Sequence, residues 1–329
     1  ITIDVIELVN DNGIPGDNLT NDVRPHFRVT VPGDVNEVRL SIDGGNTWVR
    51  ATQGTAGIWD YTWPKDVTDG LHTLTVEATD KAGNKTTQTL DFTIDTRLST
   101  PTIAMDSRDD TGAIGDHITS VKRPGFTIGN IDADAHSVIL RITQGGNSQE
   151  VTLTQVGGQW RFTPDADWAD GSYTLTVEVQ DNAGNVRQST PLVVTVDTQT
   201  SITDITLVND HGVPDDNLTN STRPQFEITV PADVNSVQLS IDGGANWVSA
   251  TQGIEGVWGY TWPTDMGDGK HTLTVMVTDR AGNTATQTLE FFIDTRLSTP
   301  TIALDSTDDT GTPGDDMTNR TRPTFILQN

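Results

Sequence analysis

The stretch D-G-L-H-T-L-T-V-E-A-T-D-K-A-G-N, from Asp69 to Asn84, is an alternating run that ends in a polar turn. Leu74 and Val76 alternate with threonine and glutamate, so one face of the run is apolar and the other is polar and exposed to solvent, as in a half-buried β-strand. The closing D-x-A-G-N predicts a hairpin turn in which Gly83 and Asn84 take left-handed conformations. The same pattern returns twice, at residues 170–185 and 268–283.

A second motif, Arg-Pro, sets the period of the repeat. It occurs at Arg24, Arg123, Arg223 and Arg322, in steps of 99, 100 and 99 residues. A period this long predicts serial domains rather than a solenoid, whose repeats run about 20–50 residues. We predict three domains at residues 1–96, 97–198 and 199–295, followed by a partial fourth repeat at residues 296–329.

Each repeat reads as short alternating runs separated by Gly, Pro, Asn and Asp, which is typical of an antiparallel sandwich. Seven strands are expected in the first repeat, near Thr2–Leu8, His26–Val31, Glu37–Ile42, Trp48–Ala51, Ile58–Thr62, His72–Thr79 and Thr86–Ile94. No window favours a long amphipathic helix. The sequence therefore predicts an all-β chain built from tandem seven-stranded β-sandwiches.

The composition argues against several classes of binding partner. The chain of 329 residues has 46 acidic and 20 basic side chains, a net charge of −26 and no cysteine. Nucleic acid and anionic membrane surfaces are not expected partners, because both require positive charge. No apolar run approaches the ~18–20 residues of a membrane span, so no membrane insertion is expected. Without disulfides, stability has to come from packing or from bound metal.

Four loops place carboxylates around a glycine: N-D-N-G-I-P-G-D at residues 10–17, D-D-T-G-A-I-G-D at 109–116, N-D-H-G-V-P-D-D at 209–216 and D-D-T-G-T-P-G-D at 308–315. Loop carboxylates suit Ca2+, which accepts six to eight oxygens in irregular geometry. Mg2+ prefers octahedral sites that retain water, and Zn2+ lacks its usual cysteine and histidine ligands here. The predicted calcium ligands in these loops are Asp11, Gly13, Asp17, Asp109, Asp110, Gly112, Asp116, Asp210, Gly212, Asp216, Asp309, Gly311 and Asp315.

Two further aspartates recur in every complete repeat, one at the start of D-x-A-G-N and one in the closing D-T. In a seven-stranded sandwich, the loop after the first strand and the end of the last strand share one pole. The turn between the last two strands lies at the other pole, which faces the preceding repeat. We therefore predict further calcium ligands at Asp80, Asp181 and Asp279 in the turns and at Asp95, Asp197 and Asp294 at the repeat ends.

This topology predicts a carboxylate cluster at each junction between repeats. The Asp11/Asp17 loop and Asp95 are expected to meet Asp181 at the first junction. The second junction is expected to bring together Asp110, Asp116, Asp197 and Asp279. Turn capping by the same Asp and Asn side chains is the alternative, and it remains open. Asn10 and Asn209 replace the first aspartate of D-D-T-G, which weakens the case for a ligand at that position in those loops.

The tryptophans leave two interpretations. Trp59, Trp160 and Trp258 occupy one equivalent position and are typical of a sandwich core, although a sugar platform uses the same residue type. A calcium-dependent carbohydrate- or receptor-binding module would instead expose Trp48, Trp63, Trp168, Trp247 and Trp262. An enzyme is not expected, because the six histidines lie in mostly unrelated contexts and no Ser or Cys nucleophile motif accompanies them.

In their order along the whole chain, D-D-T-G-x-x-G-D-x-x-T, R-P, D-G-x-x-T-L-T-V, D-x-A-G-N and V-D-T resemble the bacterial Ig-like repeats of giant surface adhesins. The resemblance implies tandem Ig-like domains arranged as an extended rod, with Ca2+ at junctions where each domain is partnered by its neighbours. It also implies a monomeric, extracellular stalk at the bacterial surface, exported by type I secretion, that serves adhesion to host cells and virulence. Contact with a host receptor or glycan would then fall to other parts of the protein.

Residues 296–329 make up a third of a domain and should not fold alone. The chain starts in a strand-like segment and stops early in this fourth repeat, so it reads as an internal piece of a longer protein. We expect the last residues to dock on the third repeat or on a neighbouring molecule. The alternative is a structural unit that runs from one Arg-Pro to the next.

Overall fold

The computed structural model describes residues 1–328, which form β-strands and contain no helix in that range. The all-β prediction is therefore confirmed. The chain divides into two compact units, Ile1–Thr198 and a second that begins at Gln199. The first unit holds two sandwiches, and the second holds one sandwich and a separate two-stranded sheet.

The first sandwich packs a four-stranded sheet on a five-stranded one. Its strands are β1 (Val5–Leu8), β2 (Leu19–Thr20), β3 (His26–Thr30), β4 (Val35–Ser41), β5 (Val49–Arg50), β6 (Thr52–Gln53), β7 (Ile58–Thr62), β8 (Gly70–Asp80) and β9 (Lys85–Ile94). The sheet orders are β1-β3-β7-β6 and β2-β9-β8-β4-β5. Alternate side chains such as Phe27, Leu74 and Phe92 form the core between the sheets and are at most 1% exposed.

The structure differs from the seven expected strands in two places. The run at Trp48–Ala51 is split between the sheets, because β5 pairs with β4 whereas β6 pairs with β7. The chain changes sheets at Ala51, whose N–H donates to the carbonyl of Val38 at 3.0 Å. The two-residue strand β2 pairs in parallel with β9. A segment that short has no alternation by which the sequence could reveal it.

The second sandwich has the same plan but a broken last strand. Its strands are β10 (Thr102–Met105), β11 (Ile118–Thr119), β12 (Phe126–Gly129), β13 (Ala135–Gln144), β14 (Asn147–Thr152), β15 (Gln155–Val156), β16 (Gln159–Phe162), β17 (Gly171–Asp181), β18 (Val186–Gln188) and β19 (Leu192–Val196). The sheet orders are β10-β12-β16-β15 and β11-β19-β17-β13-β14, with β18 also paired to β17. Between β18 and β19 lies Ser189, which is buried and whose Oγ accepts a hydrogen bond from the N–H of Val177 at 3.0 Å.

The third sandwich repeats the first strand for strand. Its strands are β20 (Asp204–Leu207), β21 (Leu218–Thr219), β22 (Gln225–Thr229), β23 (Val234–Ser240), β24 (Val248–Ser249), β25 (Thr251–Gln252), β26 (Val257–Thr261), β27 (Gly269–Asp279) and β28 (Thr284–Ile293). The sheet orders are β20-β22-β26-β25 and β21-β28-β27-β23-β24. Its core is built from equivalent side chains, among them Phe226, Leu273 and Phe291, each 0% exposed.

The start of the fourth repeat forms a hairpin-like pair, β29 (Thr301–Leu304) with β30 (Phe325–Gln328). Apolar side chains of this segment are exposed to solvent: Leu297, just before the pair, is 92% exposed and Leu327 is 73% exposed. The expected docking of this segment on the third repeat is therefore wrong. Two strands offer one apolar face, and covering that face requires the second sheet of a sandwich.

The parallel pairing of β2 with β9 positions the acidic loop. The loop between β1 and β2 ends beside the end of β9, where the N–H of Asp95 donates to the carbonyl of Thr20 at 3.0 Å. The acidic loop and the closing aspartate therefore share one pole of the sandwich. The turn between β8 and β9 lies at the opposite pole.

Candidate metal centre at the first junction

The acidic loop of the first repeat is held by its own hydrogen bonds. Asp11 Oδ2 accepts from the N–H of Gly16 at 2.6 Å, and Asp17 Oδ1 accepts from the N–H of Leu19 at 3.0 Å. Gly13 and Gly16 have φ angles of 77° and 91°, in the left-handed region that favours glycine. Turn capping by aspartate, the alternative to calcium binding, is therefore present in this loop.

In each acidic loop, one buried carboxylate oxygen is left without a hydrogen bond. This Oδ1 atom is buried and has no hydrogen-bond partner among residues 1–328 in any of the four copies, Asp11, Asp110, Asp210 and Asp309. A buried carboxylate oxygen without a partner is costly, and a bound cation would satisfy it. In these four aspartates, Oδ2 accepts the hydrogen bond that caps the turn. The Oδ1 atom is free to bind a cation, as a calcium ligand would.

Asp11 and Asp17 also affect each other. Desolvation raises the pKa of the Asp17 carboxyl, although much of the side chain is exposed, and the charge of Asp11 raises it further. The N–H of Leu19 opposes this shift by stabilising the charged form. Two carboxylates in one loop repel each other unless a cation or a proton lies between them.

The first residue of each acidic loop has a structural role. Asn10 Oδ1 accepts a hydrogen bond from the N–H of His26 at 2.8 Å and so anchors the start of β3. The equivalent bond is made in the other repeats by Asp109, Asn209 and Asp308. Asparagine and aspartate both suffice here, because the bond needs only one acceptor oxygen. A calcium-binding role for Asp109 stays a prediction, with its Oδ2 atom already engaged.

At the opposite pole, the D-x-A-G-N turn is capped by its own aspartate. Asp181 accepts from the backbone N–H and the side-chain amide of Asn185, both at 2.8 Å. In the first repeat, Asp80 makes the same two bonds with Asn84, at 2.9 and 2.8 Å. The side chain of Asn84 is the main cause that holds the pKa of Asp80 below its usual value.

The turn of the second repeat docks on the acidic loop of the first. The N–H of Ile14 donates to the carbonyl of Asn182 at 3.2 Å, and the N–H of Asn21 donates to the carbonyl of Ala183 at 3.1 Å. Backbone pairing of this kind fixes the position of the turn without requiring particular side chains. The predicted contact between the acidic loop and the next repeat's D-x-A-G-N turn is confirmed at the first junction.

Two glycines make this approach possible. A Cβ at Gly13 would lie 2.1 Å from the carbonyl oxygen of Asn182, and one at Gly184 would lie 2.9 Å from the backbone nitrogen of Gly13. No side chain fits at these distances. The sequence predicted Gly13 as part of a sharp turn around a cation, and the structure shows that it also admits the neighbouring backbone.

Three carboxylates gather beside this contact. Asp95, Asp134 and Asp181 each offer an oxygen within 4.8 Å of the others. Asp181 is 0% exposed. Asn185 Nδ2 joins the two repeats, because it donates to the carbonyl of Asp95 at 2.8 Å and to Asp181 Oδ2 at 2.8 Å. The carboxylates of the acidic loop are not among these three, so the junction has two separate acidic groups.

Asp134 was not among the ligands predicted from the sequence. This residue lies between β12 and β13, and its backbone carbonyl accepts from the N–H of Asn182 at 3.1 Å. Asp34 and Asp233 stand at the same place in the other repeats, and their carbonyls accept from the same position of the turn at 3.2 and 3.1 Å. Recurrence of this aspartate at the repeat period was the available signal. It was missed because this connection has no glycine-rich loop around it.

The electrostatics of Asp134 reflect its neighbours. Desolvation raises the pKa of its carboxyl, and the charges of Asp181, Asp95 and Asp132 raise it further. A cleft of about 480 Å³ opens beside the group and is lined in part by Asp132 and Arg97. Carboxylates that repel each other at an open cleft fit a hard cation with oxygen ligands.

Comparison with known proteins identifies the family. A model of the bacterial Ig-like domain matches residues 1–96, 97–198 and 199–295. The chain belongs to the bacterial Ig-like domain family. Among curated proteins, no sequence matches this chain.

Several solved structures resemble the chain at low identity. The tetra-tandem repeat in the extending region of a large adhesion protein is 22% identical, covers 92% of this chain and 77% of its own, and has a TM-score of 0.34. A 1.5-MDa bacterial ice-binding adhesin is 20% identical, with 88% and 97% covered and a TM-score of 0.36. A Ca2+-stabilized adhesin of an Antarctic bacterium is 19% identical, with 93% and 77% covered and a TM-score of 0.36. The family assignment rests on the domain match and not on these likenesses.

The other bacterial Ig-like repeats keep the same local geometry. The N–H groups of Asp197 and Asp294 donate to the carbonyls that end the short parallel strands, at 2.9 and 3.0 Å. Asp279 accepts from the backbone and the side chain of Asn283 at 2.8 and 2.9 Å. The meeting of Asp110, Asp116, Asp197 and Asp279 at the second junction stays a prediction, and so do the calcium-binding roles of all the predicted residues.

Most tryptophans of these bacterial Ig-like domains pack against the cores. Trp59 and Trp258 are 7% and 8% exposed, as predicted, and Trp160 is half-buried against the core of its repeat. The tryptophans expected on the surface are all half-buried: Trp48, Trp63, Trp168, Trp247 and Trp262. None of these five rings is fully exposed, so they do not form open platforms; Trp168, for example, stacks on Tyr173 with ring centroids 4.2 Å apart and keeps only part of its surface accessible.

The chain has two further features. Among the described residues, no helix is long and apolar enough to span a membrane. The repeats of this domain type in tandem also account for the strand pattern, which places the same acidic loop and the same turn at opposite poles of each sandwich.

Proposed function

We propose that the chain is an extracellular stalk segment of a giant bacterial surface adhesin, in which Ca2+ bound at acidic interdomain loops stiffens the array and supports attachment to host cells. The neighbouring domains of the same chain are its partners. Its motifs are similar to those of the type I-secreted non-fimbrial adhesin SiiE, notably the loop copies N-D-N-G and N-D-H-G and the hairpins I-D-G-G-N-T-W and I-D-G-G-A-N-W. Host contact falls to other parts of such a protein.

The observation that carries the proposal is the group of Asp95, Asp134 and Asp181. These carboxylates come from two repeats, and each offers an oxygen within 4.8 Å of the others. Their mutual repulsion opposes the docking of the turn, whereas a cation that binds all three would favour it. Binding at this point therefore couples cation occupancy to the contact between the two repeats.

Calcium suits this group better than the other common cations. It accepts carboxylate and carbonyl oxygens in flexible geometry, and the junction offers both kinds of oxygen from loops and turns. The site has no nitrogen or sulfur ligand for zinc, and it offers more protein carboxylates than magnesium usually takes. The acidic loop is a separate candidate site, and in the first repeat the unpartnered Oδ1 atom of Asp11 is its ligand.

The expected affinity suggests how the segment is regulated. Extracellular modules bind calcium with Kd values of ~10⁻⁴–10⁻³ M. A site of this affinity is empty in the cytosol and filled in millimolar calcium. We propose that the chain stays flexible before export and stiffens outside the cell.

Calorimetric calcium titration of the whole chain tests the binding site. Asp134→Ser is the sharpest variant, because no other described residue donates a hydrogen bond to the Asp134 carboxylate, whose backbone partner is its own N–H. The substitution therefore removes one charge of the group without breaking a side-chain bond to another element. We expect this variant and Asp95→Ser to lose one class of sites. The matched control is Asp34→Ser, which changes the same position in the first repeat, outside the cluster. Equal stoichiometry and heat in Asp134→Ser and the unchanged chain would argue against the site.

Small-angle scattering tests the stiffening. The chain in millimolar calcium should have a larger maximum dimension and a narrower distribution of distances than the chain in chelator. In Asp134→Ser, calcium should have a smaller effect. A maximum dimension that does not respond to calcium would contradict the stiffening but not the binding.

A further inference from the structure

The second repeat has a cleft that does not belong to the junction. It is about 330 Å³ in volume and lies between the β13–β14 hairpin and the segment that leads into β17. We call it the Trp168 cleft, and its main lining residues are Gln144, Asn147, Gln149, Asp167, Trp168 and Tyr173. An adjoining cleft of about 250 Å³ shares Gln149, Asp167 and Trp168 with it and extends towards Pro164. The volume of the Trp168 cleft is at the lower end of the range for small-ligand sites, about 300–1,000 Å³.

The sequence of the second repeat differs at both walls of this cleft. In the first and third repeats the hairpin carries a tryptophan, Trp48 or Trp247, and the second repeat has glutamine and glutamate in this region of β14. After the strand β7, the first repeat continues with Trp63, where the second repeat continues with Pro164. The second repeat thus lacks both of these tryptophans, and it carries Trp168 where the first and third repeats have Val67 and Met266.

The wall formed by Trp168 is rigid. Its indole stacks on the ring of Tyr173 with centroids 4.2 Å apart and planes inclined by 14°. Tyr173 is only 4% exposed, and its hydroxyl donates to the carbonyl of Ala169 at 2.9 Å. Trp168 also contacts the core ring of Phe126 at 5.8 Å. An aromatic wall held on two sides keeps its position without a ligand, which lowers the cost of binding.

The opposite wall offers unused amides. Asn147 and Gln149 are exposed, and among residues 1–328 neither their side-chain amides nor the indole nitrogen of Trp168 is hydrogen-bonded to another protein group, so all three are accessible to a ligand. Each amide presents donors and an acceptor side by side, as sugar hydroxyls do. Asp167 adds a carboxylate acceptor at the rim, where one oxygen is paired with Arg123 at 2.7 Å.

We infer that the Trp168 cleft binds a neutral glycan. Amides and the indole nitrogen would meet the hydroxyl groups, and the half-buried aromatic wall would contact the apolar C–H surface of a sugar ring. An anionic ligand is disfavoured, because Asp165 and Asp167 line the two clefts and no lysine does. The site uses no calcium ligand and is independent of the proposed role of the junction.

A glycan panel tests this inference on the whole chain. Maltotriose, cellotriose, chitotriose and N-acetyllactosamine, with a sialylated trisaccharide for contrast, are screened by saturation-transfer NMR in calcium and again in chelator. We expect at least one neutral sugar to bind with a Kd on the order of 1 mM. Binding should persist in chelator, since no cation is needed. The sialylated sugar should bind more weakly.

Two exposed or conservative substitutions locate the site. Gln149→Ala should weaken binding about two- to tenfold, because it removes one or two hydrogen bonds. Trp168→Phe keeps an aromatic ring against Tyr173 but removes the indole nitrogen, and it should also weaken binding. Gln252→Ala, an exposed amide in the third repeat, is the matched control and should change nothing.

Three results would overturn the inference. The first is that no neutral sugar binds at about 10 mM, ten times the expected Kd. The second is binding that is unchanged in both Gln149→Ala and Trp168→Phe, which would place the sugar elsewhere on the chain. The third is that a lysine-rich peptide binds the cleft and the sugars do not, which would show that its carboxylates and not its amides select the ligand.

Discussion

The first and second repeats contain the same D-x-A-G-N turn in different surroundings. Ala82 in the first turn is exposed, whereas Ala183 in the second is 0% exposed. A Cβ at Gly83 would meet nothing within 4 Å, but one at Gly184 would lie 2.9 Å from the backbone of Gly13. Both turns make the same internal hydrogen bonds, so these bonds do not depend on contact with a neighbouring repeat. The D-x-A-G-N motif therefore forms a preformed surface, and a junction arises where the acidic loop of the preceding repeat binds to it.

The two repeats also differ in their last strands and in one hairpin. The strand β9 is continuous, whereas its counterpart is divided into β18 and β19 around Ser189. The hairpin after β4 turns at Asp43, and the corresponding turn of the second repeat has Gln144. Each difference gives a variant in one repeat and a matched control in the other.

The largest effect is expected from Gly13→Ala, which would separate the two repeats. A Cβ would lie 2.1 Å from the carbonyl oxygen of Asn182, and φ is 77°. Loss of the two backbone bonds and the left-handed strain together predict a cost of about 3–4 kcal/mol in the unfolding free energy of the first unit. Hydrogen exchange should show the N–H groups of Ile14 and Asn21 becoming unprotected.

The control for this variant is Gly16→Ala in the same loop. Gly16 has a φ of 91°, but a Cβ there would meet nothing within 4 Å. It should cost only the left-handed strain, about 1–2 kcal/mol, and the exchange protection of Ile14 should remain. Equal effects of the two substitutions would show that strain, not contact between repeats, decides the outcome.

A smaller loss is expected from Ser189→Ala in the broken strand. The buried N–H of Val177 donates to Ser189 Oγ at 3.0 Å, and alanine leaves this N–H without a partner. Such a group costs about 1–3 kcal/mol, which urea denaturation can measure. Gln88→Ala in the continuous strand β9 is the control, since Gln88 is exposed; it should change stability by less than about 0.5 kcal/mol.

The turns themselves can be compared through Asn185→Ala and Asn84→Ala. Asn185 Nδ2 donates to Asp181 and also to the carbonyl of Asp95, whereas Asn84 Nδ2 donates only to Asp80. We expect Asn185→Ala to cost about 1 kcal/mol more than Asn84→Ala, the value of the additional hydrogen bond. The unfolding free energies are measured in chelator, so that bound calcium does not contribute to their difference. If the two substitutions cost the same, the bond between the repeats adds nothing to stability.

The smallest effect concerns the hairpin turn and depends on pH. Hydrogen bonds from Thr47, first from its hydroxyl and then from its N–H, and from Ser41 lower the pKa of Asp43 from 3.8 to about 2. The stabilisation is therefore complete above pH 3.8 and is lost as the pH falls through about 2. The second repeat, with Gln144 in this turn, has no such titration.

Carboxyl-carbon NMR can follow this titration directly. The midpoint for Asp43 should lie near 2, and Asp242 in the third repeat, whose pKa is also lowered to about 2, is the internal control. In the variant Asp43→Asn the acid-sensitive step of the first repeat should disappear. A midpoint near the ordinary 3.8 would mean that the turn does not hold its hydrogen bonds in solution.

The sequence by itself determined the all-β fold, the repeat and the acidic pole of each sandwich. Alternation in runs such as H-T-L-T-V is a local property of the chain, and the turn residues that separate the runs act locally too. The repeat period then aligned the D-x-A-G-N turns and the closing aspartates. The meeting of the acidic loop with the turn of the next repeat follows from strand order, so it could be predicted before any distance was known.

Only the tertiary structure decided which side chains meet at the junction. It brought Asp134 to Asp95 and Asp181, left the acidic loop outside that group, and showed that Gly13 admits a neighbouring backbone. It also covered Trp168 with Tyr173, a contact that no local pattern signals. The physical reason is that these contacts depend on how closely two folded backbones approach. Residues far apart in the chain set that approach, and neither alternation nor turn chemistry encodes it.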